Sequence, residues 1–383
     1  MLRPMFVTGS LKHGGAERHS ITVMNRIADR GHECHAVYIK NDQDLLDRIE
    51  PRARTTVRCM NAVRFFDTRA IGDFAAHIFR IQPSVIVAAN GYALMNASLA
   101  RIRSGLKIPV IATFHTTRVL EAKNHVKGLF DRPFFWGAER TIFVCKMQKK
   151  YWLRRGLGSR INEVIYNGVD TAHFCDKSTA DDRLELRQSY GISETDYVIG
   201  ISAVLRPEKN HLQLVEAIAA LRKSGIPARA LLIGDGEMRQ AIEAKARELK
   251  VEGDIIITGL QQDVRPYMAI CDVLVLCSLS ETFSLAALEA MAMGKAVIHS
   301  DVGGAAEMII PGNNGFLFPV GDTEVFVRRL TTLAEPRVAK RMGSSARAMV
   351  ETDFSEKSMV DRYEETLFDV CTAPLSIVRR IAR

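Results

Sequence analysis

Long apolar runs are missing from this sequence. Nowhere in 383 residues do 18 apolar side chains follow one another, which excludes an ordinary membrane-spanning helix. The amino terminus, MLRPMFVTGS, has no apolar stretch of secretory length, so a cytoplasmic protein is expected. Paired cysteines are missing too. The seven present (Cys34, Cys59, Cys145, Cys175, Cys271, Cys277, Cys371) are odd in number and scattered, with no CxxC and no Cys/His spacing suited to zinc. A disulfide scaffold and a zinc module are thereby excluded, and a reducing compartment fits. Low-complexity tails are absent, and 47% hydrophobic with 25% charged residues is the composition of a folded globular chain. Acidic charge is scarce in one half only. Residues 1–170 carry 27 Lys and Arg against 14 Asp and Glu, a net of +13, whereas the remaining 25 basic and 30 acidic residues give −5. That asymmetry points to an anionic partner for the first half, a membrane surface or a nucleic acid, with a solvated basic surface that has no partner as the alternative.

What the chain has is a regular alternation of short apolar runs and longer segments of helical period, the pattern of parallel sheets with crossover helices. Candidate strands in the first half are PMFVT, CHAVYI, SVIVAA, PVIAT, TIFVC and EVIY; a second set is YVIGIS, RALLIG, DIIITG, DVLVLC, KAVIHS and GFLFP. Each is rich in Val and Ile, as a strand covered on both faces should be. A length of 383 residues exceeds what one core supports, so two α/β domains are expected. Between the two sets lies the polar, strandless DTAHFCDKSTADDRLELRQSYGISETD. The expected domains are therefore 1–170 and 171–360, with a last helix, about 360–383, packing back on the first. Ligands of such sheets sit at the carboxyl ends of the strands.

Two places suit a phosphate. After the first strand, GSLKHGGAERHS runs a loop holding Gly14 and Gly15 into an amphipathic helix, and free amides at a helix start favour an anion. The loop is neither GxGxxG nor GxxxxGK[ST], and a plain turn remains open. In the second half, AVLRPEKNH follows YVIGIS and sets Arg206 and Lys209 at a strand's carboxyl end, where two cations could neutralise a diphosphate. Solvated surface cations are the alternative. The turn IGDGE reads as structural first.

The segment ETFSLAALE places Glu281 and Glu289 around a helix start, with Thr282 or Ser284 as cap and a helix from about Phe283 to Gly294. An acid inside so apolar a helix needs a partner. A vicinal diol offers two hydroxyl donors to one carboxylate, so acids flanking a phosphate-binding helix start suit a nucleotide-sugar.

Taken together, LRPEKNH, GDGE, the long run from GLQQDV through SETFSLAALEAMAMGKAVIHSDVGGAAEMI, and NNGFLFPVGD resemble the carboxyl-terminal domain of retaining glycosyltransferases of GT-B fold, the group 1 or family 4 type. GGAERHS, ATFHTT and NGVD match the same family in the same order. The resemblance implies two Rossmann-like domains facing across a cleft, a nucleotide-sugar held mainly by the second and an acceptor by the first. It implies that Glu281 contacts donor-sugar hydroxyls and Glu289 the ribose diol. The amides of Phe283, Ser284 and Leu285 would meet the diphosphate or sugar, Arg206 and Lys209 would neutralise the diphosphate, and Gly15 would offer its amide. His115 in ATFHTT would sit near the reacting sugar. One position departs from the family, whose usual arginine is replaced by Val204; Arg206, two residues on and on the same face of an extended strand, could substitute.

No metal or other cofactor is expected, because amides and cations can stabilise a leaving diphosphate. The one DxD match, Asp42 and Asp44 around Gln43, reads as a solvated acidic cluster. The basic first half interleaves Arg and Lys with Phe, Trp and Tyr in RARTTVRCMNAVRFFDTRAIGDFAAHIFR and KGLFDRPFFWGAERTIFVCKMQKKYWLRRGLGSR. A cationic face with aromatic anchors suits anionic lipid. A lipid-linked or lipopolysaccharide-type acceptor, a UDP-sugar donor and peripheral attachment to the inner face of the cell membrane are the coherent expectation, with no nucleic-acid partner. A nucleotide-sugar epimerase of the same architecture, and a non-catalytic basic membrane or nucleic-acid module, remain as alternatives.

Overall fold

The computed structural model describes residues 1–12, 14–53, 56–115 and 130–372. The chain forms two compact units, one of residues up to Asn167 together with the stretch from Met359, the other Gly168–Ser358.

Among the described residues the first unit is built on seven strands: β1 (Pro4–Thr8), β2 (His35–Tyr38), β3 (Thr56–Cys59), β4 (Val85–Ala89), β5 (Val110–Phe114), β6 (Arg140–Phe143) and β7 (Ile161–Val164), in the order β3-β2-β1-β4-β5-β6-β7 and all parallel. Alternate residues of β1 feed opposite faces. Met5 and Val7 join a core with Phe74, Ile86 and Leu94, while Phe6 joins another with Ile27, Val87 and Tyr363. The second core is closed by the helix Glu356–Thr372, which buries Met359, Val360, Tyr363 and Leu367 at helical spacing. Fully burying one such apolar side chain contributes about 1.5–3 kcal/mol, so four fix the helix firmly to its unit.

The strand β3 is absent from the expectation drawn from the sequence. It is an edge strand whose residues are half-buried or exposed, and Arg58 interrupts its apolar character, so no run of Val and Ile marks it. The last strand of the sheet lies two residues before the expected EVIY start, at the opposite edge.

The second unit has six parallel strands, β8 (Tyr197–Ser202), β9 (Ala228–Ile233), β10 (Ile255–Ile257), β11 (Val273–Leu276), β12 (Ala296–Ser300) and β13 (Gly315–Phe318), in the order β10-β9-β8-β11-β12-β13. Both sheets reverse strand order beside their first strand, at β1/β4 and at β8/β11. In doubly wound sheets the carboxyl ends beside that reversal form the ligand crevice.

Two buried histidines give this fold a pH limit. Burial pushes His77 of the first unit and His211 of the second down to about 4, and both Nδ1 and Nε2 of His211 are enclosed with no partner among the described residues. Since the folded values lie below the unfolded one, their stabilisation is present above pH 6.5 and is lost as pH falls toward 4. His211 should remove about 2 kcal/mol between pH 7 and pH 5, and His77, whose charge is better screened by solvent, a smaller amount. Melting followed by circular dichroism should show that fall; a melting temperature flat over this interval would contradict it.

Candidate functional site

In the second unit the residues beyond the carboxyl ends of β8, β11 and β12 converge. After β8, Leu205 is fully buried, and its backbone exchanges bonds with the IGDGE turn: Leu205 N donates to Asp235 O at 3.0 Å, and Met238 N to Leu205 O at 3.0 Å. Gly236 sits at φ +158°, and any Cβ there would meet the Leu205 carbonyl, so the turn is what lets the loop lie flat. A short 3-10 turn, Pro207–Lys209, then aims Lys209, and Leu279 N donates to Glu208 O at 2.8 Å, tying this turn to the loop after β11.

That tie brings together two of the expected residues. Lys209 Nζ donates to Glu281 Oε1, and Ser278 Oγ donates to the same oxygen at 3.3 Å. The pair is partly shielded, with side chains 26% and 17% exposed, so its attraction is less screened than that of a surface pair. Arg206 is not part of this group. Its chain does not continue as a strand, because β8 ends at Ser202 and Arg206 N bonds back to Val204 O at 2.8 Å. The alternation by two that would have put Arg206 on the face of Val204 therefore does not apply. Its guanidinium is exposed and lies 3.9 Å from Glu208.

The helix beyond Glu281 runs Leu285–Ala292, two residues shorter at its start than the sequence suggests. Ser284 caps it, its hydroxyl accepting from Ala287 N at 3.3 Å. Phe283 is the reason for the late start: it is 5% exposed and packs 5.5 Å from Phe354, so the chain dips into the core before turning. At Leu285 the helix has amides with no intrahelical acceptor, the feature that receives anions. Glu289 is half-buried on its fifth position.

Sequence reasoning did not single out Gly303 and Gly304. Gly304 N donates to Thr282 O at 2.7 Å, and Gly303, at φ +58°, lies directly against the carbonyls of Glu281 and Thr282. The double glycine of DVGGAAE, the same signal noticed at Gly14 and Gly15, marks this contact.

The first unit holds the other expected residues. Gly14 is the extended N-cap of the helix Gly15–Asp29, and a Cβ on Gly15 would meet open space, so its role is not imposed by crowding. From this helix, His19 packs its ring 4.6 Å from that of His115, which follows β5. His115 N donates to Asn90 Oδ1 at 3.0 Å, and His19 Nε2 is 2.9 Å from Tyr363 OH. Burial lowers the His115 imidazole to about 4, and burial, then the charge of His115, lowers His19 well below its ordinary range. Both rings are neutral at pH 7, which suits hydrogen bonding to a hydroxyl better than carrying charge. Asn90, held at φ +65°, and His19 were not singled out in the sequence, although His19 stands in the quoted GGAERHS.

Asp42 of the DxD match lies 3.3 Å from Lys12. Among the described residues no helix is long and apolar enough to cross a membrane.

Known proteins resemble this chain along most of its length. Residues 182–349 match the sequence model of glycosyl transferases group 1, and residues 13–173 that of glycosyltransferase family 4. The chain is 32% identical over 380 residues to N-acetyl-alpha-D-glucosaminyl L-malate synthase of Bacillus anthracis, with 93% of this chain and 94% of that protein covered. It is 23% identical over 307 residues to UDP-Gal:alpha-D-GlcNAc-diphosphoundecaprenol alpha-1,3-galactosyltransferase of Escherichia coli, covering 79% of this chain and 73% of that protein. The crystal structure of Anabaena HepE in complex with UDP shares the fold, with a TM-score of 0.85 at 22% identity over 96% of this chain and 100% of that one.

Proposed function

The chain belongs to the group 1 glycosyltransferases, and from that premise we propose that it moves a sugar, with retention of anomeric configuration, from a UDP-sugar to a lipid-linked or lipopolysaccharide-type glycan. Its fold is GT-B. The observation that carries the reading is the Lys209–Glu281 pair at the sheet's ligand edge, beside a capped helix start.

In this reading the C1–O bond to the diphosphate breaks with its electron pair leaving on the phosphate oxygen. The growing charge is met by Lys209 and by amides from Phe283 to Leu285, and no divalent metal is needed. The acceptor hydroxyl attacks C1 on the face the phosphate leaves, and its proton passes to the departing phosphate. Glu281 holds sugar hydroxyls, Glu289 the ribose diol, and neutral His115 positions the sugar. Gly15 offers its amide to the diphosphate, and Arg206 adds long-range attraction rather than contact. A UDP donor is supported by the relatives named for UDP-galactose and crystallised with UDP.

The acceptor side is supported by the surface of the first unit. The loop before the helix Thr68–Ile81 exposes Val63, Phe65 and Phe66 at 85%, 48% and 53% around Arg64, and Asp67 fixes it by accepting from Val63 N at 3.1 Å. Phe65 lies 6.3 Å from Phe130, itself half exposed. Exposed apolar and aromatic side chains on a basic domain suit the anionic inner face of a cell membrane.

Label from a UDP-sugar should appear in saccharide-bearing lipid, faster on anionic vesicles than on phosphatidylcholine alone. Epimerised or freed sugar without any acceptor would instead support the epimerase reading. Equal rates on both vesicles would remove the membrane partner.

A further inference from the structure

His299 occupies the fourth position of β12 and is 1% exposed. Its Nδ1 lies 2.6 Å from the carbonyl oxygen of Ser300. A carbonyl only accepts, so Nδ1 carries the hydrogen and Nε2 is left with a bare lone pair. That nitrogen is enclosed, and among the described residues nothing donates to it.

Its surroundings are those of the candidate site. Ser300 Oγ donates to Ser278 O at 2.6 Å, and Ser278 Oγ donates to the Glu281 oxygen that Lys209 also holds. The charges that act on the ring are those of Glu281, Lys209 and Asp301. Glu281 and Lys209 are partners of each other in this structure. A diphosphate competes for Lys209, and once the ammonium turns to phosphate, the Glu281 carboxylate loses its cation and is, like the His299 nitrogen on which its charge acts, an acceptor open to a further donor. Both call for donors, and a sugar ring presents donors on neighbouring carbons.

We propose that His299 is a sugar-binding residue, whose Nε2 accepts a hydrogen bond from a hydroxyl or amide N–H of the donor sugar beside Glu281. This rests on the nucleotide-sugar reading of the site. It makes β12, and not only the loop at Glu281, a determinant of which sugar is taken: a sugar lacking a donor at that position leaves the buried nitrogen unmet.

The test is calorimetric titration of the wild type, His299→Phe and His299→Gln with a free nucleoside diphosphate and with the matching nucleotide-sugars. Phenylalanine keeps the ring volume without an acceptor; glutamine keeps an acceptor. The wild type should bind one nucleotide-sugar more tightly than the nucleotide alone. His299→Phe should keep the affinity for the nucleotide within twofold and lose about tenfold for the nucleotide-sugar, the scale of one buried hydrogen bond, and His299→Gln should recover most of it. Parallel loss for both ligands, or an undiminished preference for the sugar in His299→Phe, overturns the assignment while leaving the donor site intact. A wild type that binds no nucleotide at all overturns the donor reading itself.

Discussion

Lys209→Ala is expected to slow sugar transfer about 10²- to 10³-fold, the loss that follows removal of one preorganised group facing developing charge. In the proposed reaction the bond that breaks leaves its electrons on a diphosphate, and a leaving group of that charge departs only if the charge is met where it forms. In the proposed role Lys209 has three supports: the buried Leu205 anchors its loop, the Glu208 carbonyl ties it to the loop after β11, and Glu281 keeps its ammonium at the sheet edge. Arg206 has none of these supports and stands exposed beside Glu208. Arg206→Ala should therefore change the rate by less than about threefold, in line with the modest worth of exposed charges. Initial rates at saturating donor for the two variants decide it. A strong defect in Arg206→Ala with a mild one in Lys209→Ala would move the phosphate clamp to the arginine.

Gly303→Ala should be nearly as damaging by a different route. At φ +58° an alanine is strained, and its Cβ would lie 2.6 Å from the Thr282 carbonyl and closer still to that of Glu281. The neighbouring bond from Gly304 N to Thr282 O holds the two loops together, so the added atom cannot be accommodated by one loop swinging away. Strain and displaced backbone together should cost about 2–4 kcal/mol of stability. Transfer should fall more than stability alone explains, because the carbonyls that move are those of Glu281, proposed to hold the sugar, and its neighbour Thr282. Thermal melting and initial rates on the same sample test both halves. A variant with wild-type rate and melting temperature would show that Glu281 is not held by this contact.

Much of this was legible in the sequence, and the reasons differ by element. β1, β4 and β8 announce themselves because a strand covered on both faces must be largely apolar, and PMFVT, SVIVAA and YVIGIS are, apart from a Ser or Thr at one end. β3 carries no such signature because an edge strand with one exposed arginine needs little hydrophobicity. The helix start was misplaced at Phe283 because a phenylalanine fits a helix turn as well as a core pocket, and only its packing against Phe354, 71 positions away in the chain, decides. Lys209 and Glu281 could be named from local motifs. Their direct pairing could not, since it depends on a backbone bond between Leu279 and Glu208. Arg206 shows the converse: alternation by two is valid only within a strand, and the strand had already ended at Ser202. His299 and Tyr363 carry no local signal, because a lone histidine or tyrosine gains meaning only from what the fold sets beside it, whereas His19 stands in GGAERHS.

The central claim is that the second unit holds a nucleotide-sugar through Lys209 and Glu281, and thermal stabilisation by a panel of UDP-, GDP- and ADP-sugars tests it most directly. A ligand that binds only the folded protein at about 100 times its dissociation constant stabilises it by about 2.7 kcal/mol, a shift of several degrees. A UDP-sugar should give that shift in the wild type and lose most of it in Lys209→Ala and Glu281→Ala. No shift with any member of the panel, or equal shifts in all three proteins, would contradict the account.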